Sequence, residues 1–129
     1  MRSMEQKGKF TFPFEKLEIW QLAVDFADYI LNLLQPLQGT KYFRLIGQME
    51  AAVASIAQNI SEGKGRQYKK EFIQFLYIAE GSLFEALTLT EIFKRRKIFK
   101  EKEAIIIKEK AEIIDRKLHG LINSLRSRS

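Results

Sequence analysis

His119, the one histidine in the chain, is the strongest candidate for chemistry, because imidazole binds metals and transfers protons near neutral pH. Asp115 precedes it by four residues, so the two side chains can share a helix face. One histidine and one carboxylate do not make a metal site, and with a single histidine the chain lacks the repeated Glu-x-x-His pairs of a di-iron bundle. We therefore expect His119 to be a structural or surface residue and predict no bound metal.

Other catalytic patterns are also missing. Ser55, Ser61 and Ser82 lack the flanking residues of a nucleophile elbow. The Gly-Lys-Gly at 63–65 lacks the Gly-x-x-x-x-Gly-Lys-Ser/Thr order that cradles a phosphate, and the chain has no cysteine for thiolate chemistry. The remaining candidate carboxylates are Glu50, Glu62, Glu80 and Glu85. Their spacing indicates lysine pairing or helix capping, so the sequence predicts no catalytic residue, no cofactor and no enzyme activity.

Positive charge is concentrated in the second half of the chain. Lys and Arg total 22 against 16 Asp and Glu, a net charge of +6. Residues 1–63 hold 6 basic and 7 acidic side chains, whereas residues 64–129 hold 16 and 9. This asymmetry favours a polyanionic partner such as RNA or DNA, although an ordinary lysine-rich surface has the same composition. The candidate nucleic-acid-binding residues are Lys64, Arg66, Lys69, Lys70, Lys94, Arg95, Arg96 and Lys97.

Helical periodicity accounts for most of the chain. Apolar residues recur at steps of three and four, and no stretch alternates with a period of two. The predicted elements are helices at about 15–35, 41–62, 69–95 and 100–125, followed by a flexible tail at 126–129. Short loops between long helices imply antiparallel neighbours. The sequence therefore predicts an all-α protein, an up-down-up-down four-helix bundle forming a single domain over 1–129.

This topology predicts two basic ends. The segment 64–70 lies at one end with the chain start, including Lys7 and Lys9, and the tail. The segment 94–97 lies at the opposite end with residues 41–44. Tyr68 belongs to the first group, where it either stacks on an unpaired base or packs at a helix start.

The apolar faces are wider than the interior of a bundle needs. Helix one carries two neighbouring stripes, and Tyr77 and Phe84 lie outside the main apolar line of helix three. The stripes are Leu17, Trp20, Val24, Ala27, Leu31 and Leu34, and Ile19, Ala23, Phe26, Ile30 and Leu33. This width favours self-association over a thick core with scattered exposed aromatics.

Gly81, inside helix three, indicates tight helix packing.

Targeting signals are not visible. No uninterrupted apolar run approaches the ~18 residues that span a bilayer, and the polar start has no signal-peptide pattern. We expect a cytoplasmic protein without a membrane partner.

Two stretches resemble the 23S ribosomal-RNA intervening-sequence proteins. The first is Phe-Glu-Lys-Leu-Glu-Ile-Trp-Gln-Leu-Ala at 14–23. The second and more specific is Ser-Ile-Ala-Gln-Asn-Ile-Ser-Glu-Gly-Lys-Gly-Arg at 55–66, followed by Lys-Glu-Phe at 70–72 and Ala-Glu-Gly-Ser at 79–82. The chain departs from the family pattern at Glu50-Ala51, where many members have Arg-Arg, and at Ala57, where many have Pro.

The resemblance implies an antiparallel bundle that assembles into a ring, with a homopentamer expected. Some members are encoded within intervening sequences of bacterial 23S rRNA genes. The family is also similar to the accessory proteins of diversity-generating retroelements, basic pentameric barrels that bind a reverse transcriptase and nucleic acid. No catalytic residues are implied.

The motif residues Asn59 and Glu62 lie three apart near a helix end, so both can face the Gly63–Arg66 turn. They either form a polar clasp that stabilises this turn or present Arg66 to a phosphate. The leading hypothesis is a non-enzymatic homo-oligomer that binds nucleic acid or a nucleoprotein through its basic ends. The alternative is an accessory or scaffold subunit that binds a protein, such as a reverse transcriptase.

Overall fold

Four long helices make up most of the computed structural model, which describes residues 11–128. They are α1 (Glu18–Leu34), α2 (Phe43–Lys64), α3 (Lys69–Arg95) and α4 (Glu101–Ser127). Short 3-10 turns occupy Pro13–Lys16 and Gln35–Leu37, and residues 11–128 contain no strand. The predicted all-α four-helix architecture is confirmed. The predicted Lys7 and Lys9 at the chain start lie outside the described residues.

The helix boundaries differ from prediction mainly at the two ends of the chain. Residues 13–16 form a 3-10 turn instead of the start of α1, because the Glu15 carboxylate accepts the backbone N–H groups of Thr11 and Phe12, both at 2.8 Å. These hydrogen bonds hold the pKa of Glu15 below its ordinary value. At the other end, α4 continues to Ser127, through part of the predicted flexible tail.

The helices contact one another in a closed order. Helix α1 packs on α2 and α4, and α3 packs on the same two helices. The α2–α3 and α3–α4 connections are short, so each successive helix reverses direction. Loop 65–68 therefore lies at one end of the bundle and loop 96–100 at the other.

One of the two predicted α1 stripes supplies most of the core contacts of this helix. Ile19, Ala23, Phe26 and Ile30 are buried, whereas Val24 and Leu31 of the other stripe are 38% and 39% exposed and its last residue, Leu34, is buried. The predicted inner line of α3 is buried throughout: Phe72, Leu76, Ala79, Leu83, Ala86, Thr90 and Phe93. The packing angle between helices decides which stripe faces inward, and periodicity alone does not contain that angle.

Helix α3 is long and apolar enough to cross a bilayer by length and composition, alone among the helices of the described part. Of its most apolar 18-residue window, 39% is buried inside the bundle. Core helices of bundles in water meet the same criterion, so this property is weak support for a membrane span.

Gly63 and Gly81 differ in what surrounds them. Helix α2 continues through Gly63 to Lys64 and is capped by Gly65. A Cβ at Gly63 would lie 2.6 Å from Phe75 Cβ and 2.9 Å from Phe72 Cδ1, so the start of α3 packs directly on the Gly63 backbone. Gly81 was predicted to mark tight helix packing; no such contact exists within residues 11–128, because Gly81 is exposed and an added Cβ would meet nothing within 4 Å.

Candidate nucleic-acid interface at the ends of the bundle

The end formed by loop 96–100 begins where α3 stops in a Schellman motif. The Ile98 N–H donates to the Phe93 carbonyl at 2.9 Å, and the Lys97 N–H donates to the Lys94 carbonyl at 3.0 Å. Phe99 then packs on Phe93 with ring centroids 4.9 Å apart. This termination requires a left-handed residue, and Lys97 supplies it with φ 63°. Glycine usually takes this position, because a side chain there costs about 1–2 kcal/mol.

The basic residues of this end are only partly neutralised. Lys94 Nζ and Arg95 Nε share one carboxylate, that of Glu91, at 3.2 and 2.9 Å. These two hydrogen bonds lower the pKa of Glu91. Arg96 and Lys97 form no ion pair with any residue in 11–128. Two cations therefore share one anion, and two more have none.

Lys100 joins three of these cations around an open depression of about 530 Å³. The lining residues of the depression are Lys94, Arg95, Lys97, Phe99, Lys100 and Glu101. Glu101 is the one acidic residue in this lining. A concave surface with this charge suits an anionic group such as a phosphate.

Arg96 points away from this depression toward the N-terminal end of α2. Its guanidinium donates a hydrogen bond to the Tyr42 hydroxyl at 3.3 Å, which lowers the pKa of Tyr42. Lys41 lies over the same ring, 5.4 Å from its centroid. The predicted meeting of residues 41–44 with residues 94–97 is therefore observed.

The end formed by loop 65–68 brings together the other predicted cations. Arg66 pairs with Glu62 at 3.3 Å and lies 4.7 Å above the Phe75 ring, while Lys64 lies 5.9 Å from the centre of the Phe72 ring. Lys69 Nζ donates to the Arg128 carbonyl at 3.2 Å, so the C-terminal tail reaches this end as predicted.

Tyr68 and Lys70 are exposed at the same end. The Tyr68 side chain is 61% exposed, so it does not pack at the helix start. Lys70 has no ion-pair partner among the residues that the structure describes. The eight candidate residues thus form two groups at opposite ends of α3, whose 27 residues span about 40 Å at 1.5 Å per residue.

The predicted clasp around the Gly63–Arg66 turn is not made by Asn59. Its Nδ2 donates instead to the Ser55 carbonyl and hydroxyl, at 2.8 and 2.9 Å. The Ser82 hydroxyl of α3 donates to the same Ser55 hydroxyl at 2.8 Å. The motif serines and Asn59 therefore link α2 to α3, a role that sequence reasoning missed because it joins residues 27 apart.

A second polar cluster lies between the middle of α3 and α4. His119 Nε2 and Glu80 Oε2 are 2.5 Å apart, and Asp115 Oδ1 is 3.9 Å from the same nitrogen. Burial raises the pKa of Asp115 from its ordinary 3.8 to about 6; the neighbouring Glu80 carboxylate adds to this rise, and His119 opposes it. The sequence revealed the Asp115–His119 pair but not Glu80, which only the packing of α3 on α4 brings to it.

Comparisons with known proteins agree with this fold. A crystal structure of a protein of unknown function from the S23 ribosomal protein family of Bacteroides thetaiotaomicron superposes with a TM-score of 0.74 at 25% identity. The match covers 81% of this chain and 97% of that one. The comparison with curated proteins gives no match.

The family signal covers most of the bundle. The sequence pattern described as 23S rRNA-intervening sequence protein matches residues 15–120, which include all of α1, α2 and α3 and most of α4. The match extends well beyond half of the 129 residues and agrees with the resemblance of the 55–66 motif. By sequence and by fold, this chain belongs to the 23S rRNA-intervening sequence protein family.

Proposed function

We propose that this protein is a non-enzymatic, homo-oligomeric bundle that binds the phosphates of nucleic acid, first through the end formed by loop 96–100. The cations of that end act together on the depression bounded by Lys94, Arg95, Lys97 and Lys100. Binding of this kind is electrostatic and releases counterions, so it weakens steeply as salt rises.

Lys97 carries the proposal. It is exposed, has no ion-pair partner in the described chain, and occupies a left-handed position where glycine is more stable. A lysine at a strained backbone position, where glycine would be more stable, supports a binding role for its charge instead of a role in stabilising the fold. The alternative reading of this run as helix-dipole stabilisation accounts for Lys94 and Arg95 in the last turn, but not for a cation one residue beyond the cap.

The opposite end offers a second contact surface. Its exposed Tyr68 stands beside Lys69 and Lys70, an arrangement that suits stacking on an unpaired base flanked by phosphates. The ion pair of Arg66 with Glu62 is exposed and contributes little, so a phosphate competes with it readily.

Self-association is part of the proposal. The outward face of α3 carries Tyr77, Ile78, Phe84 and Ile92, which are 38–52% exposed, around the bare backbone of Gly81. Apolar surface of this kind supports contact between copies, with Gly81 allowing a close approach. An assembly with parallel subunits would multiply each basic end, and several weak phosphate contacts would add on one strand.

The test is a salt series of binding titrations with single-stranded RNA and duplex DNA of equal length. Lys97→Gly is the informative variant, because it relieves the left-handed strain while removing one charge. We expect the free energy of unfolding to rise by up to about 1 kcal/mol, while affinity falls and the slope of log affinity against log salt decreases by about one per contacting subunit.

The matched control is Lys110→Gln, which removes one charge from the middle of α4. It should leave affinity and salt slope close to those of the unmodified protein. Equal losses of affinity in both variants would show that binding depends on the net charge of the protein and not on the position of Lys97. No binding to either nucleic acid at low salt would reject the proposal and favour the protein-binding accessory role.

A further inference from the structure

Glu80, Asp115 and His119 form a set of metal-ligating groups supplied by two helices. Asp115 and His119 are one turn apart on α4, and Glu80 faces them from α3. One carboxylate oxygen from each acid and one imidazole nitrogen all lie within 4.8 Å of one another. All three residues lie within helices, so the backbone already places the three ligand atoms close together.

A second observation points to an occupant. Asp115 Oδ1 is withdrawn from solvent and accepts no hydrogen bond from any residue in 11–128, although the whole side chain remains 34% exposed. Glu80 beside it is only 13% exposed. A carboxylate oxygen withdrawn from solvent beside a second, largely covered carboxylate is unfavourable unless a proton or a cation lies between them.

No lysine or arginine in residues 11–128 forms an ion pair with Glu80 or Asp115. Arg116 lines the open depression beside Asp115 and His119 but makes no ion pair with either acid. Arg126 is held by the Tyr77 hydroxyl at 2.9 Å. Within the described chain, the His119 imidazole is therefore the only side chain that can offer a hydrogen-bond donor or a positive charge to the two carboxylates.

We propose that Glu80, Asp115 and His119 bind one divalent transition-metal ion, with Zn²⁺ the best match. One imidazole and two carboxylates suit Zn²⁺, and three protein ligands leave a fourth tetrahedral position for water. Mg²⁺ fits poorly, because it prefers six oxygen ligands. His119 is 46% exposed and faces an open depression of about 450 Å³, so an ion can enter from solvent.

Binding requires a defined protonation state of the histidine. Nε2 now lies 2.5 Å from the Glu80 oxygen, so these two atoms would move apart to about 3.3 Å to bind one tetrahedral ion, and His119 would carry its remaining proton on Nδ1. The ion would replace that hydrogen bond with coordinate bonds to both helices and so hold α3 against α4 at mid-bundle.

The experiment is calorimetric titration of the full-length, chelator-treated protein with Zn²⁺, with Mg²⁺ as the comparison ion. We expect one Zn²⁺ per chain and no saturable Mg²⁺ binding. Glu80→Gln, Asp115→Asn and His119→Asn should each weaken Zn²⁺ binding more than about tenfold, the lower range of the effect found for supporting residues of metal sites. Glu109→Gln, an exposed carboxylate elsewhere on α4, should bind as the unmodified protein does.

A second measurement does not depend on the variants folding. His119 is the one histidine, so its imidazole protons give unambiguous NMR signals. They should shift on addition of one equivalent of Zn²⁺ and stay in place with Mg²⁺. Absence of saturable Zn²⁺ binding, unmoved His119 signals, or equal affinity in the three ligand variants and Glu109→Gln would overturn the assignment and leave a proton shared between the carboxyls as the occupant.

Discussion

At the scale of single residues, backbone contacts and backbone strain limit most strongly which residue types fit at a position. Gly63 allows α3 to start against α2, since Phe72 and Phe75 occupy the space that a Cβ would take. Lys97 adopts the left-handed conformation that ends α3. Both positions border basic loops, so single-residue geometry shapes the two ends that are proposed to bind phosphate.

Gly63→Ala tests the close contact between the Gly63 backbone and the start of α3. The new methyl group overpacks against Phe75 at a cost of about 1–3 kcal/mol, which outweighs the gain of up to about 1 kcal/mol from better helix propensity. Urea unfolding should therefore show a lower free energy of unfolding. Gly47→Ala is the control in the same helix, because its Cβ would meet nothing within 4 Å, and it should stabilise the protein. A gain in stability at both positions would contradict the close packing at Gly63.

At the scale of elements, α2 and α3 are joined by polar as well as apolar contacts. Ser55 is the centre of the polar link, because it receives hydrogen bonds from both Asn59 and Ser82. A hydrogen bond of this kind fixes the sliding position of one helix along the other, which apolar side chains specify less sharply. The register of α2 against α3 in turn sets where loop 65–68 presents its cations.

Ser82→Ala should lower the free energy of unfolding by about 1 kcal/mol, because it removes one part-buried interhelical hydrogen bond. Ser55→Ala should cost more, since Asn59 then also loses a partner. Thr88→Ala is the control: its hydroxyl donates to the Phe84 carbonyl of its own helix and, among residues 11–128, to no other helix, so urea unfolding should change little. Equal effects of Ser82→Ala and Thr88→Ala would show that the link adds no stability.

At the scale of the whole molecule, charge and apolar surface occupy different places. The eight candidate binding cations lie at two ends, while the outward face of α3 exposes apolar side chains around Gly81. This separation allows copies to meet along their sides and keep their basic ends open to a polyanion. The proposed assembly and the proposed phosphate binding can therefore be tested by separate substitutions.

Light scattering should give a mass of several 15.1 kDa chains at micromolar concentration. If copies meet at Gly81 as proposed, Gly81→Ala should favour smaller species, because the methyl group would separate them, although within one chain it meets nothing. Gly120→Ala, equally open on α4, is the control and should leave the mass unchanged. A single-chain mass for the unmodified protein would reject the oligomeric part of the proposal.

Local sequence determined the number of helices, their approximate limits and the two basic ends. Helical periodicity, loop positions and runs of like charge are all properties of neighbouring residues, and antiparallel topology follows from short loops. The sequence therefore predicts that residues 94–97 lie near residues 41–44, and the Arg96–Tyr42 hydrogen bond agrees with this prediction.

Only the tertiary structure decided which residues meet across helices. Glu80 and His119 are 39 residues apart, and Ser55 and Ser82 are 27 apart. Their contacts depend on the angle and register at which whole helices pack, and those are set by the summed fit of many core side chains. The same packing turned one stripe of α1 inward and left Gly81 facing outward, which no local pattern in the chain expresses.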